Sequence, residues 1–119
     1  MSHARPRVLI ADDHPEVMKA VCRLLALDCE IVGTVADGRA LPEAVQRLEP
    51  DVIVLDLNLP GVHALDVCRH LARTNPAMKV VVFSAMSDPD VTDALIAAGA
   101  SAFVSKLASE DLLPTIRRV

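Results

Sequence analysis

Short apolar runs alternate with helix-periodic segments along this chain, and that alternation most narrows what it can fold into. Residues 7–11 carry Val8, Leu9 and Ile10 and read as a strand buried on both faces. Pro15 suits the first turn of a helix, in which Val17, Val21, Leu24 and Leu25 recur at helical spacing. Residues 30–35 read as a second strand, interrupted by Gly33 and placed near an edge. Leu41, Ala44, Val45 and Leu48 follow the i, i+3, i+4, i+7 rule of a second helix. Residues 51–55, with Val52-Ile53-Val54-Leu55, are a third strand, and Pro60-Gly61 breaks the chain after it. Leu65, Cys68, Leu71 and Ala72 give a third helical stripe, and residues 79–83 a fourth strand. Val91, Ala94, Leu95 and Ala98 give a fourth helix closed by Gly99, before a short fifth strand at residues 102–104. Ser109 is the expected cap of a last helix, with Glu110 and Asp111 in its first turn. Pro42 and Pro114 fall inside predicted helices, so each helix either starts later or kinks there.

Five strand–helix pairs imply an α/β fold, a (βα)5 doubly wound parallel sheet covered on both faces. The 119 residues form one domain, 1–119, which excludes a two-lobed enzyme with an interdomain cleft. Only 2% are aromatic, Phe83 and Phe103, so the core must be built from Val, Leu, Ile and Ala. Sixteen acids against twelve bases give a net charge of −4. That balance argues against nucleic-acid binding by this chain alone, and the lack of aromatics removes a base-stacking platform. Three cysteines without a C-x-x-C pair point to a reduced, cytoplasmic setting. Cys68-Arg69-His70 lacks the second pair that a zinc site needs. Met1-Ser2-His3-Ala4-Arg5-Pro6 has no signal-peptide core, and no apolar stretch reaches the roughly 18 residues of a membrane span.

Ligands of open α/β sheets bind outside the carboxyl ends of the strands, so the residues there carry the functional reading. Asp12 and Asp13 follow the first strand, Asp56 ends the third, Ser84 follows the fourth and Lys106 the fifth. Taken singly each is bland: the acids are helix caps, the lysine is solvated, the serine is a turn residue. Asp37, after the edge strand, keeps the capping reading. Jointly, three carboxylates converge with a hydroxyl and an ammonium. Three acids this close need a cation, and a hard divalent ion such as Mg²⁺ is the natural partner. One carboxylate can then attack phosphorus, with Lys106 and Ser84 holding the phosphoryl oxygens. Setting Asp12, Asp13 and Asp56 aside leaves thirteen acids against twelve bases, so most of the net charge belongs to one pocket.

Ala11-Asp12-Asp13-His14-Pro15, Asp56-Leu57-Asn58-Leu59-Pro60-Gly61, Ser84-Ala85 and Phe103-Val104-Ser105-Lys106 together resemble a response-regulator receiver domain, the CheY-like phosphoacceptor of two-component signalling. The resemblance covers essentially the whole chain. It implies a flavodoxin-like strand order 2-1-3-4-5. It also implies Mg²⁺ on Asp13, Asp56 and the Asn58 backbone carbonyl, with Asp12 acting through water. Asp56 matches the phosphorylated aspartate, Ser84 the switch hydroxyl, Phe103 the switch aromatic and Lys106 the charge-stabilising lysine. The implied partner is a sensor histidine kinase or phosphotransfer protein, with a homodimer on phosphorylation. Such a domain is a signalling module that catalyses its own phosphotransfer rather than an enzyme.

His14-Pro15 and the segment from Ser105 to Leu113 resemble the NarL/FixJ-type subgroup. That implies transcription regulation through a C-terminal helix-turn-helix domain absent from this chain. Leu107 stands where a proline often follows the lysine, which implies a trans bond there. Val62-His63-Ala64 replaces a frequent Asp-Gly pair, so that loop is expected to close differently because Ala64 disfavours positive φ. His63 reads as a solvent-exposed loop residue. Met86, two residues past Ser84, reads as an apolar group near the pocket mouth that affects water access and phosphate lifetime. Two readings of other classes compete: a haloacid-dehalogenase-like aspartyl phosphatase, whose second acid Asn58 would replace, and a flavodoxin-like cofactor binder, whose phosphate Asp12 and Asp13 would repel. A phosphorylation-independent interaction module is a further alternative.

Overall fold

Consecutive residues of a strand point to opposite faces of a sheet, so a strand apolar at every position must be covered on both sides. The computed structural model, which describes residues 5–86 and 88–119, shows that arrangement. Residues 1–4 of the N-terminal segment lie outside the described residues. Five parallel strands run β1 Arg7–Ala11, β2 Glu30–Val35, β3 Val52–Asp56, β4 Lys79–Ser84 and β5 Ala102–Ser105. Their order across the sheet is β2-β1-β3-β4-β5. Helices α1 Pro15–Leu25, α2 Leu41–Leu48, α3 Ala64–Thr74, α4 Pro89–Ala97 and α5 Leu112–Arg118 connect and follow them. The doubly wound α/β expectation holds, including the flavodoxin-like order.

The two faces carry separate cores. Leu9, Ala11, Ile53, Leu55, Val80 and Val82 pack with Leu41, Cys68 and Leu95 under α2, α3 and α4. Val8, Ile10, Val52, Val54, Val81 and Phe83 pack with Val21, Leu25, Leu112 and Ile116 under α1 and α5. Each fully buried aliphatic side chain stabilises the fold by about 1.5–3 kcal/mol. The branched residues that fill these layers also favour strands.

Gly33 does mark an edge: β2 pairs only with β1, and the register slips between Val8 and Leu9 opposite it. A Cβ at Gly33 would stand 2.7 Å from Leu48 Cδ1, so glycine there makes room for α2. Both awkward prolines sit in first turns. Pro42 is the second residue of α2 and Pro114 the third of α5, so neither kinks a helix. Asp37 accepts a hydrogen bond from the Arg39 amide at 2.8 Å and caps a short 3₁₀ turn, Gly38–Ala40.

Several local expectations are corrected. Ser109 caps nothing: Lys106–Asp111 is a 3₁₀ segment capped by Ser105, and α5 begins only at Leu112. Leu24, Ala72 and Ala94 are exposed rather than core-facing. Ala64 is the first residue of α3, and the positive φ of that loop (+88°) falls on Gly61. Ala64 therefore carries no backbone strain. At the far end of α5, the Arg117 guanidinium pairs with Asp28 in the α1–β2 connection.

Candidate functional site

The parallel register puts four strand ends side by side. Ala11 lies opposite Leu55, Asp56 opposite Phe83, and Ser84 opposite Ser105. The residues at or just past those ends, Asp12, Asp56, Ser84 and Lys106, therefore share one rim, where open α/β sheets bind ligands. Asp12, Asp56 and Ser84 are each at most 2% exposed, while Asp13 faces solvent.

Lys106 reaches inward from the start of the 3₁₀ segment. Its Nζ stands 2.9 Å from Asp12 Oδ2 and 3.5 Å from Asp56 Oδ1. It also lies 5.8 Å from the centre of the Phe83 ring, a cation–π contact. The Asn58 amide donates to Asp56 Oδ1 at 3.2 Å. Ser84 Oγ accepts from the Met86 amide at 3.0 Å, which fixes the hydroxyl at the strand end. Met86 itself is 57% exposed beyond it. Phe103 is half-buried against the α2–α4 core. The backbone contains no cis peptide among the described residues, so Lys106–Leu107 is trans.

One neighbour, His14, carries only the subgroup resemblance in the sequence and no expected role in the site. His14 Nδ1 lies 2.8 Å from Asp12 Oδ1, 3.3 Å from Asp13 Oδ1 and 3.7 Å from Asp56 Oδ2. The His14 amide donates to the same Asp12 oxygen at 2.8 Å, so ring and backbone share one anchor. The signal was local: an aspartate two residues before a helix-starting His-Pro pair favours this Asx-type turn. The hydrogen bond to Asp12, and then the Asp13 and Asp12 charges, raise the His14 pKa above its ordinary value. For Asp12, burial raises the pKa. Contact with Lys106 and hydrogen bonds from His14 outweigh it, leaving the carboxyl below its usual range.

Asp56 Oδ2 is buried without a hydrogen-bond partner. Asp12 Oδ2 also lacks a well-directed hydrogen bond, although Lys106 neutralises it at 2.9 Å. Donor atoms of Asp12, Asp13, His14 and Asp56 all lie within 4.8 Å of one another. Unpartnered carboxylate oxygen at the centre of such a set fits a divalent cation, and Asp12, Asp13 and Asp56 would hold it.

Comparison with known proteins places the chain in a family. The family model for the response regulator receiver domain matches residues 8–117. Response regulator GacA of Pseudomonas aeruginosa is 34% identical over 95% of this chain, which covers 54% of that protein. The nitrate/nitrite response regulator protein NarP of Escherichia coli is also 34% identical, over 95% of this chain and 54% of its own length. The chain thus spans about half the length of these relatives. Among solved structures, the signal receiver domain of the putative response regulator NarL from Mycobacterium tuberculosis superposes with a TM-score of 0.86 at 27% identity, covering 97% of this chain and 98% of that one. No helix among the described residues is long and apolar enough to cross a membrane.

Proposed function

This chain belongs to the response regulator receiver domain family, and from that premise we propose that Asp56 is its phosphoacceptor. The observation that carries the reading is the unpartnered, buried Asp56 Oδ2 facing the acid cluster while Asp56 Oδ1 is held by Asn58 and Lys106. Asp56 Oδ2 attacks the phosphorus of a phosphohistidine. The N–P bond breaks, its electron pair returns to the donor imidazole, and an acyl phosphate forms on Asp56. Lys106 lies within reach of the added charge, and the Ser84 hydroxyl is the nearby donor for a phosphoryl oxygen. Mg²⁺ held by Asp12, Asp13, Asp56 and the Asn58 carbonyl would neutralise the carboxylates and the phosphoryl oxygens.

The added phosphate biases a two-state element. Ser84 turns toward it and Phe103 moves into the space that opens, altering the surface of α4, β5 and α5. The same module works in the cytoplasm as a single receiver unit, 1–119, with a sensor histidine kinase or phosphotransfer protein as donor. Its output is transcriptional, through a DNA-binding domain elsewhere in a longer protein, with dimerisation on phosphorylation. The family match favours this phosphoacceptor reading over an aspartyl phosphatase.

Incubation with Mg²⁺ and acetyl phosphate tests the proposal by intact-mass measurement. One phosphoryl adduct that is lost in Asp56→Asn supports it. No adduct, or an adduct that persists in the variant, overturns it.

A further inference from the structure

The His14 imidazole stands where a ligand of the bound ion would stand. We propose that His14 Nδ1 is a nitrogen donor of this site and that it shifts the site's metal preference toward later divalent ions such as Co²⁺, Ni²⁺ or Zn²⁺. The inference rests on the divalent-ion reading of Asp12, Asp13 and Asp56 given above.

Three features carry it. Donors that share an octahedral ion at about 2.1 Å are roughly 3 Å apart when adjacent. Nδ1 lies 2.8, 3.3 and 3.7 Å from one oxygen each of Asp12, Asp13 and Asp56, and all four donors fit within 4.8 Å. The ring is also preorganised, because the Asp12 oxygen that meets Nδ1 also accepts the His14 amide, just before Pro15 opens α1. Finally, the buried Asp56 Oδ2 has no hydrogen-bond partner and lies 3.7 Å from Nδ1, so an ion placed between them would satisfy both.

Oxygen-only sites suit Mg²⁺, while an imidazole favours the later first-row ions. When such an ion enters, the proton that Nδ1 shares with Asp12 leaves to solvent and the metal takes its place. His14 is well exposed, so its replacement does not threaten the core.

The test measures Co²⁺ and Mg²⁺ affinity at pH 8 by calorimetry on the wild-type chain, His14→Ala and Asp13→Asn. The visible absorption of the Co²⁺ form gives a second readout. His14→Ala should weaken Co²⁺ by about tenfold or more and change Mg²⁺ less than about threefold, and it should shift the Co²⁺ spectrum. Asp13→Asn should weaken both ions. If His14→Ala tightens both ions, His14 is only a competing counter-cation and the inference is overturned. It is equally overturned if Co²⁺ affinity and spectrum stay unchanged, or if both ions weaken alike. In those cases, continued binding of Mg²⁺ and its loss in Asp13→Asn leave the divalent-ion reading standing. A wild-type chain that binds neither ion overturns both.

Discussion

The Lys106 ammonium lies 2.9 Å from Asp12 Oδ2, in a rim where the side chains of Asp12 and Asp56 are almost fully covered. This pairing makes the acid pocket tolerable without a metal, since buried carboxylates without a counter-charge are costly.

Removing the ammonium should therefore cost stability as well as chemistry. Lys106→Ala is expected to destabilise the metal-free domain by roughly 2–3 kcal/mol in urea unfolding. Saturating Mg²⁺ should restore part of the loss, because the ion supplies the missing positive charge. Phosphorylation by acetyl phosphate should slow strongly in the same variant.

The opposite sign is expected for Asp56→Asn. It removes one negative charge from a cluster that holds Asp12 and Asp13 within 4.8 Å. Without Mg²⁺ the variant should be more stable than wild type by about 1 kcal/mol. The wild type should gain the larger increment on adding Mg²⁺, roughly 2.7 kcal/mol at a hundredfold excess over Kd. Thermal melts of both proteins with and without Mg²⁺ check this crossover.

Alkaline stability should report on Cys68. Burial pushes its thiol from the ordinary 9.0 up to about 11. A raised folded pKa means that its contribution is fully present below pH 9. That contribution is lost as pH rises toward 11, because the unfolded chain releases the proton first. The loss amounts to roughly 2–3 kcal/mol across the window. Cys68→Ala should be less stable at neutral pH because of the cavity it leaves, yet show a flatter slope between pH 9 and 11.

Glu49 ends α2 in a left-handed conformation, φ 48° and ψ 58°, the only described non-glycine with positive φ. Glycine adopts that conformation without the Cβ clash. Glu49→Gly should stabilise the domain by about 0.5–1 kcal/mol, read as a higher urea midpoint at unchanged slope.

Strands and site acids are legible in the sequence for the same reason. A short, β-branched apolar run such as Val52-Ile53-Val54-Leu55 favours a strand in a covered sheet, and the polar residue that ends such a strand lies on the sheet's rim. Asp12, Asp56 and Lys106 meet as that logic requires. Helix faces are less legible. Ala72 and Ala94 fit an apolar spacing, but an alanine is small enough to be left outside at little cost, and both are exposed. Ser109 resembles a cap, yet Ser105 captures the Leu107 amide first and tightens the next six residues into a 3₁₀ segment. The His14 ring escapes a reading based on strand ends alone, because its direction is set by the Asx-type turn on Asp12, two residues before it.

The pairing of Arg117 with Asp28 has a consequence for signalling. Asp28 precedes β2, so this contact pins the end of α5 beside the amino ends of the strands, while Asp56 sits at their carboxyl ends. A five-residue strand such as β3 separates the two poles by about 16 Å, roughly two Debye lengths at physiological salt. Residues joined after Val119 in a longer protein would start from the pole remote from the chemistry. They would feel little of the phosphate's charge directly. News of it would have to arrive mechanically, as a tilt or repacking of the helices along the sheet.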